Sequence, residues 1–350
     1  MYELITVSVL VGAVIIDPTL RKLFFRQKTP ILQKHGLTPH IPYFDFLRGL
    51  AMIAVVLIHV VYFYNEYLPD QINTPMLTLN NLSRFAIPFF FITSGILLTP
   101  IATGSRPYLH FIKKKLWKLI PPYLLCCIAI ALYHDFNLHD TLLGTIRGSL
   151  AVPYYFLIAL FQLYLIYPFV LHFKKSPWLL PISLLITLVC YAWPVLWAPF
   201  TIPFAGRYFF FFAFGVKLRE FFLNNKIEQK ELPYWAALIL LYTAFALALP
   251  DIYYNVRIIY GVALFSLLMI LQSKISLGNK LAATIAKFGQ NSLWIYLTHL
   301  VVVKAIFYTI LPQTVTFSMV TLISTLSLTL SFFIAAIMQK CYQKGIRLVS

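Results

Sequence analysis

The chain has 350 residues, of which 60% are hydrophobic and only 11% charged, and its mean hydropathy is +0.81. Soluble domains carry about 25% charged residues, so composition excludes a soluble globular protein and indicates a polytopic membrane protein. The net charge of +17 is no sign of nucleic-acid binding, because the basic residues fall in short runs that flank apolar segments, as membrane-bordering charge does.

Residues 1–40 read as an N-terminal unit. Leu4–Ile16 is apolar over about 13 residues, short of the roughly 20 that a spanning helix needs. It is either a short span or a helix lying in the interface. It lacks a basic n-region and a small-residue cleavage site, so no cleaved signal peptide is expected. The basic stretch RKLFFRQKTPILQKHGLTPH then serves as a cytoplasmic linker to a membrane domain over residues 41–350.

Apolar runs broken by polar or Pro-containing turns place ten spans at roughly 43–64, 85–103, 119–134, 149–171, 177–199, 203–218, 232–250, 256–273, 290–311 and 315–338. The expected fold is therefore all-α, a bundle of about ten transmembrane helices. Assigning alternate loops to two sides puts 23 of the 28 Lys and Arg residues on one side. The other side receives only Arg84, Arg147, Arg207, Arg257 and Lys304. The richer side is expected to be cytoplasmic, with the C-terminus there too. The four cysteines (Cys126, Cys127, Cys190 and Cys341) have no metal-like spacing and read as small buried hydrophobes.

The first main span, FDFLRGLAMIAVVLIHVVYFY, holds Arg48 and His59. Eleven residues make about three helical turns, so both side chains project from one face, roughly 16 Å apart along the axis. Ionisable groups in a membrane helix usually face a protein interior or a water-filled cavity. His59 suits a general base that takes a hydroxyl proton, or a nucleophile that briefly carries an acyl group; the plainer account is a buried hydrogen-bonded histidine. Arg48 suits a cation that binds an anionic cosubstrate at the inner mouth, although an arginine one turn into a helix also snorkels to headgroups. Asp45, three residues earlier, is placed to hold the guanidinium.

Downstream, Arg84 opens the second span (SRFAIPFFFITSGILLTP) near the depth of His59, as an acceptor or oxyanion contact or as a headgroup anchor. Ser94 and Gly95 allow a backbone opening or close helix packing. The basic loop with Arg106, Lys113, Lys114, Lys115 and Lys118 suits either coenzyme A phosphates or anionic lipid. In the ninth span, Ser292, Tyr296 and His299 share a face, which reads as a cavity lining or as helix-to-helix hydrogen bonding. No Gly-rich phosphate loop, HExxH or paired-cysteine motif is present, so neither a metal site nor a hydrolase triad is expected. All eleven carboxylates lie at or before Asp251, so the C-terminal hundred residues offer no acidic partner for a histidine.

Together these residues resemble the acyltransferase-3 family of integral membrane proteins. YFDFLRGLAMIAVVLIHV reproduces its Arg–x10–His signature with Arg48 and His59, and FAIPFFFITSGILL is similar to its second-helix pattern ending in Phe-Phe-x-x-Ser-Gly. YYFLIALFQLYLIYP is similar to its aromatic segment ending in Tyr-Leu-x-x-Pro, and SLWIYLTH to its late Ser-x-x-Ile-Tyr-x-x-His pattern. The match is closest to the branch that O-acetylates enterobacterial common antigen and similar bacterial glycans. The resemblance implies an enzyme of the bacterial inner membrane. It would transfer an acyl group, usually acetyl, from cytoplasmic acetyl-CoA to a hydroxyl of a surface or lipid-linked saccharide such as lipopolysaccharide. Acyl-CoA would be a cosubstrate, no cofactor would be permanently bound, and membrane lipids would be the remaining partners. Tyr155 is counted among the expected substrate- or cosubstrate-binding residues, but Pro153–Tyr154–Tyr155 stands where many members have His-Leu-Trp, so the family's acceptor contacts there do not carry over. The rival reading is a transporter or flippase for a glycan precursor or small metabolite, using the same polar cavity without a thioester.

Overall fold

The structure is a computed structural model that describes residues 40–98, 105–133, 136–193, 203–223, 231–248, 257–310, 312 and 314–349. The apolar segment at residues 4–16 and its basic linker lie outside the described residues. Among the described residues there are α-helices and short 3-10 turns and no strands. Helices α1 (Pro42–Tyr67), α2 (Thr74–Leu82), α3 (Ala86–Leu97), α4 (Ser105–Tyr133) and α5 (Leu138–Arg147) form the first half. They are followed by α6 (Tyr155–His172), α7 (Leu179–Ala192), α8 (Phe209–Leu223), α9 (Leu232–Ala248) and α10 (Arg257–Ile270). The chain closes with α11 (Lys280–Gln290), α12 (Ser292–Ile310) and α13 (Phe317–Val349).

Each of the ten apolar intervals contains a helix, giving the all-α polytopic bundle that composition requires. Five stretches, Pro42–Tyr67, Pro107–Tyr133, Val152–Lys175, Ser292–Ile310 and Phe317–Tyr342, are long and apolar enough to cross a membrane by length and composition. The other apolar helices are shorter, such as α3 with 12 residues and α7 with 14.

Helix α1 is the centre of the bundle, packed by α3, α11, α12 and α13. It starts on Pro42 at its first turn, where the missing N–H removes nothing from the helix ladder. Asp45 in that turn complements the positive end of the helix dipole. Around α1 the core is aromatic. The run Phe209–Phe214 on α8 is buried throughout, and so are Phe89, Phe90 and Phe91 on α3. By contrast, α4 exposes Leu124, Leu125, Ile128 and Leu132, as expected of a face that meets lipid tails.

Two glycine contacts set how closely the central helices approach. A Cβ on Gly289 of α11 would lie 1.8 Å from the Asp45 carbonyl oxygen, and one on Gly49 would lie 1.9 Å from that of Ile285. Between α3 and α8 the same device recurs, with Gly95 against the Phe212 carbonyl (2.4 Å) and Gly215 against that of Ile92 (2.2 Å). Small residues let backbones meet where lipid tails supply no hydrophobic drive for association.

Candidate active site

The site is built along α1. At its N-terminal end Asp45 is buried and binds two groups: the Arg48 guanidinium at 2.8 Å and His40 Nε2 at 2.6 Å. The Arg48 side chain is 29% exposed, so the carboxylate anchors it while the rest of the fork stays available. The Arg48 Nε–H also approaches the Phe44 carbonyl at 3.4 Å.

Three other elements close on this end of α1. Lys118 of α4 lies within electrostatic reach of both Arg48 and Asp45, and Arg48 and Tyr164 of α6 are within reach of each other. Lys115 Nζ stands 5.1 Å from the centre of the Tyr164 ring and 5.5 Å from that of Phe111. Ser94 of α3 shares a hydrogen bond with the Tyr164 hydroxyl. The arrangement is a cluster of three cations against one buried carboxylate, suited to a multiply charged anion such as a phosphate group. The cluster gives Lys115 and Lys118 a setting that a lipid-anchoring loop does not need. Tyr164 is the first residue of the Tyr-Leu-x-x-Pro pattern, and that pattern was the one signal for it in the sequence.

Further along the same face stands His59. Its Nδ1 is 2.8 Å from the Val55 carbonyl oxygen and 3.3 Å from His299 Nε2. A carbonyl only accepts, so His59 Nδ1 carries the hydrogen and donates. The lone pair of neutral His59 is then on Nε2. His59 is partly exposed. Arg84, at the 3-10 turn before α3, lies within electrostatic reach of its ring. The result is a base with a free nitrogen and a fixed positive charge near it, where an oxyanion can be met.

The polar face of α12 differs from a cavity lining. His299 is 0% exposed and Tyr296 4%. The Tyr296 hydroxyl donates to the Pro153 carbonyl, and Tyr154 returns a hydrogen bond to the Leu297 carbonyl at 2.9 Å. These groups therefore join α12 to the turn before α6, and burying them is possible because each finds a partner. Gly95 likewise spends its missing side chain on the α8 contact. Tyr155 is partly exposed and stacks on Tyr208 with ring centres 6.0 Å apart, while Tyr208 stacks on Phe91 at 4.8 Å. Sequence reasoning did not single out Tyr208, since one tyrosine in a Phe-rich run carries no distinctive spacing.

No group of three or more His, Cys, Asp or Glu side chains suited to a metal ion occurs among the described residues. The family model described as an acyltransferase domain, acyltransferase 3, matches residues 41–336. No curated protein and no solved structure matches the chain. The match takes in α1 to the greater part of α13, and with it both the cation cluster around Arg48 and His59; the chain belongs to the acyltransferase-3 family of membrane acyltransferases.

Proposed function

We propose that this protein O-acylates a cell-surface or lipid-linked saccharide in a bacterial inner membrane, taking acetyl from cytoplasmic acetyl-CoA. The branch of the family that modifies enterobacterial common antigen and similar glycans is the nearest in kind. The observation that supports this reading is that Arg48 and His59 lie on one face of α1, with Arg48 and its neighbouring cations near the N-terminal end of the helix and His59 about three turns further along. In this reading Arg48, supported by Asp45, Lys115 and Lys118, holds the phosphates of acyl-CoA. The pantetheine arm then runs along α1 toward His59. His59 Nε2 takes the proton of the acceptor hydroxyl as its oxygen attacks the thioester carbonyl, and Arg84 faces the developing oxyanion. The C–S bond breaks, and the proton passes from His59 Nε2 to the departing thiolate to give free coenzyme A. Ser94, hydrogen-bonded to Tyr164, stands beside the Arg48 cluster, and the Tyr155–Tyr208 pair offers a flat aromatic surface to the acceptor sugar.

The test is transfer of radiolabel from acetyl-CoA into membrane glycans by wild type and by His59→Ala. Label that appears with the wild type and vanishes with the variant, while the variant stays inserted and folded, supports the reading. Equal label with both would remove His59 from the chemistry. Label with neither would bring forward transport of a glycan precursor.

A further inference from the structure

The family match and the inner cations leave one feature unexplained: a second histidine, on a different helix, sealed behind the first. His299 Nε2 is 3.3 Å from His59 Nδ1, and the two rings meet edge to face with centres 4.9 Å apart. On its other side His299 Nδ1 is 2.7 Å from the Tyr296 carbonyl oxygen and 3.3 Å from that of Ile295. Both are acceptors, so His299 carries its hydrogen on Nδ1, and its lone pair on Nε2 points at His59. The hydrogen of His59 Nδ1 is thus shared between the Val55 carbonyl and an imidazole nitrogen. Because His299 is 0% exposed while His59 is partly open, only His59 can reach a substrate.

We infer that His299 is the positioning residue of this enzyme, an uncharged stand-in for the carboxylate that orients a catalytic histidine elsewhere. The inference rests on the acyltransfer reading for its kinetic meaning and on geometry alone for its hydrogen bond. The need for a second acceptor follows from the helix. The Val55 carbonyl is four residues before His59 and already serves the backbone ladder, so on its own it is a poor holder of a ring that must become an imidazolium inside a membrane. A neutral imidazole adds a second acceptor without burying a negative charge. It also fixes the plane of the His59 ring, so that Nε2 keeps facing the reacting atoms. The geometry further determines where the proton goes. If His59 passed its Nδ1 proton on, His299 would become doubly protonated, with only carbonyls beyond it, which accept a hydrogen bond but carry no proton away. The hydroxyl proton therefore enters and leaves through His59 Nε2.

Two variants separate this role from packing. His299→Phe fills a similar volume without an acceptor, whereas His299→Gln places an amide oxygen near the position of Nε2. Outer-shell groups that orient a metal-bound histidine are worth roughly 10–100-fold, and His299 orients its histidine in the same manner. His299→Phe is expected to lower kcat by about that factor with KM for acetyl-CoA unchanged, and His299→Gln to recover most of the loss. Wild-type kcat in His299→Phe, or equal losses in both variants, would overturn the inference. A second measurement needs no turnover: nitrogen NMR of the full chain in lipid nanodiscs with 15N-labelled histidine, assigning His59 by its loss in His59→Ala. The expected wild-type signature is a neutral His59 with its proton on Nδ1, and a shift of that nitrogen in His299→Phe. A His59 protonated on Nε2, or a nitrogen unmoved by His299→Phe, would refute the hydrogen bond. Absence of acetyl transfer by the wild type would count against the proposed function, and the NMR result would still decide the inference.

Discussion

At Arg48 the chain resolves a conflict between burial and ligand binding. A guanidinium in a membrane helix needs a counter-charge, yet a cation fully satisfied by one would have nothing left for a substrate. Asp45 settles this by being buried and by engaging one end of the fork at 2.8 Å, while its other oxygen takes His40. Charge-assisted hydrogen bonds of this kind are worth about 1.5–3 kcal/mol each. Arg48→Gln is accordingly expected to raise KM for acyl-CoA by roughly 10-fold or more, with a smaller change in kcat. Steady-state kinetics at constant salt measure this, and an unchanged KM would move coenzyme A to another mouth. Asp45→Asn is expected to raise the same KM while leaving Arg48 present, because it removes the group that aims the guanidinium; a KM at the wild-type value would show that Arg48 needs no aiming. Much of this end of the site was readable in advance, because Asp45, Arg48 and His59 lie on one helix and a helix has a fixed period. The pairing of His59 with His299 was not, since 240 residues separate them and no period connects α1 to α12.

Among the helices, the apolar windows found each long element because hydropathy over about 20 residues is a strong signal. They missed α2, α5 and α11, which are short or amphipathic and whose places depend on what they pack against. Helix α11 shows why this matters. It presses Ile285 and Gly289 onto α1 at Gly49 and Asp45, the turn that carries Arg48. Gly289→Ala would drive a methyl group into the Asp45 carbonyl, and backbone cannot swing aside as a side chain can. Overpacking of this kind costs about 1–3 kcal/mol. The variant is expected to melt at a lower temperature in detergent and to lose activity together with it. Gly278, whose added Cβ would meet only Ser276 Oγ at 3.5 Å, provides the control, and Gly278→Ala is expected to behave as wild type. Equal stability of the two variants would show that α11 is not seated as described.

For the whole molecule, the site makes sense only with one orientation in the bilayer. Coenzyme A thioesters are made in the cytoplasm and surface glycans are assembled toward the other side, so the proposed function requires the cation cluster around Arg48 to open inward. The placement of 23 of 28 basic residues on the Arg48 side argues for that orientation through the preference of Lys and Arg for cytoplasmic loops. The chain also supplies a reporter for it. Cys126, Cys127 and Cys190 are buried, whereas Cys341, near the end of α13, is exposed. A membrane-impermeant maleimide is therefore expected to label the protein in inverted membrane vesicles and not in intact spheroplasts, and Cys341→Ser is expected to abolish the label. Labelling in spheroplasts would put the end of α13 outside. With it the Arg48 mouth would face away from its thioester, and the cations there would have to serve an external anion instead.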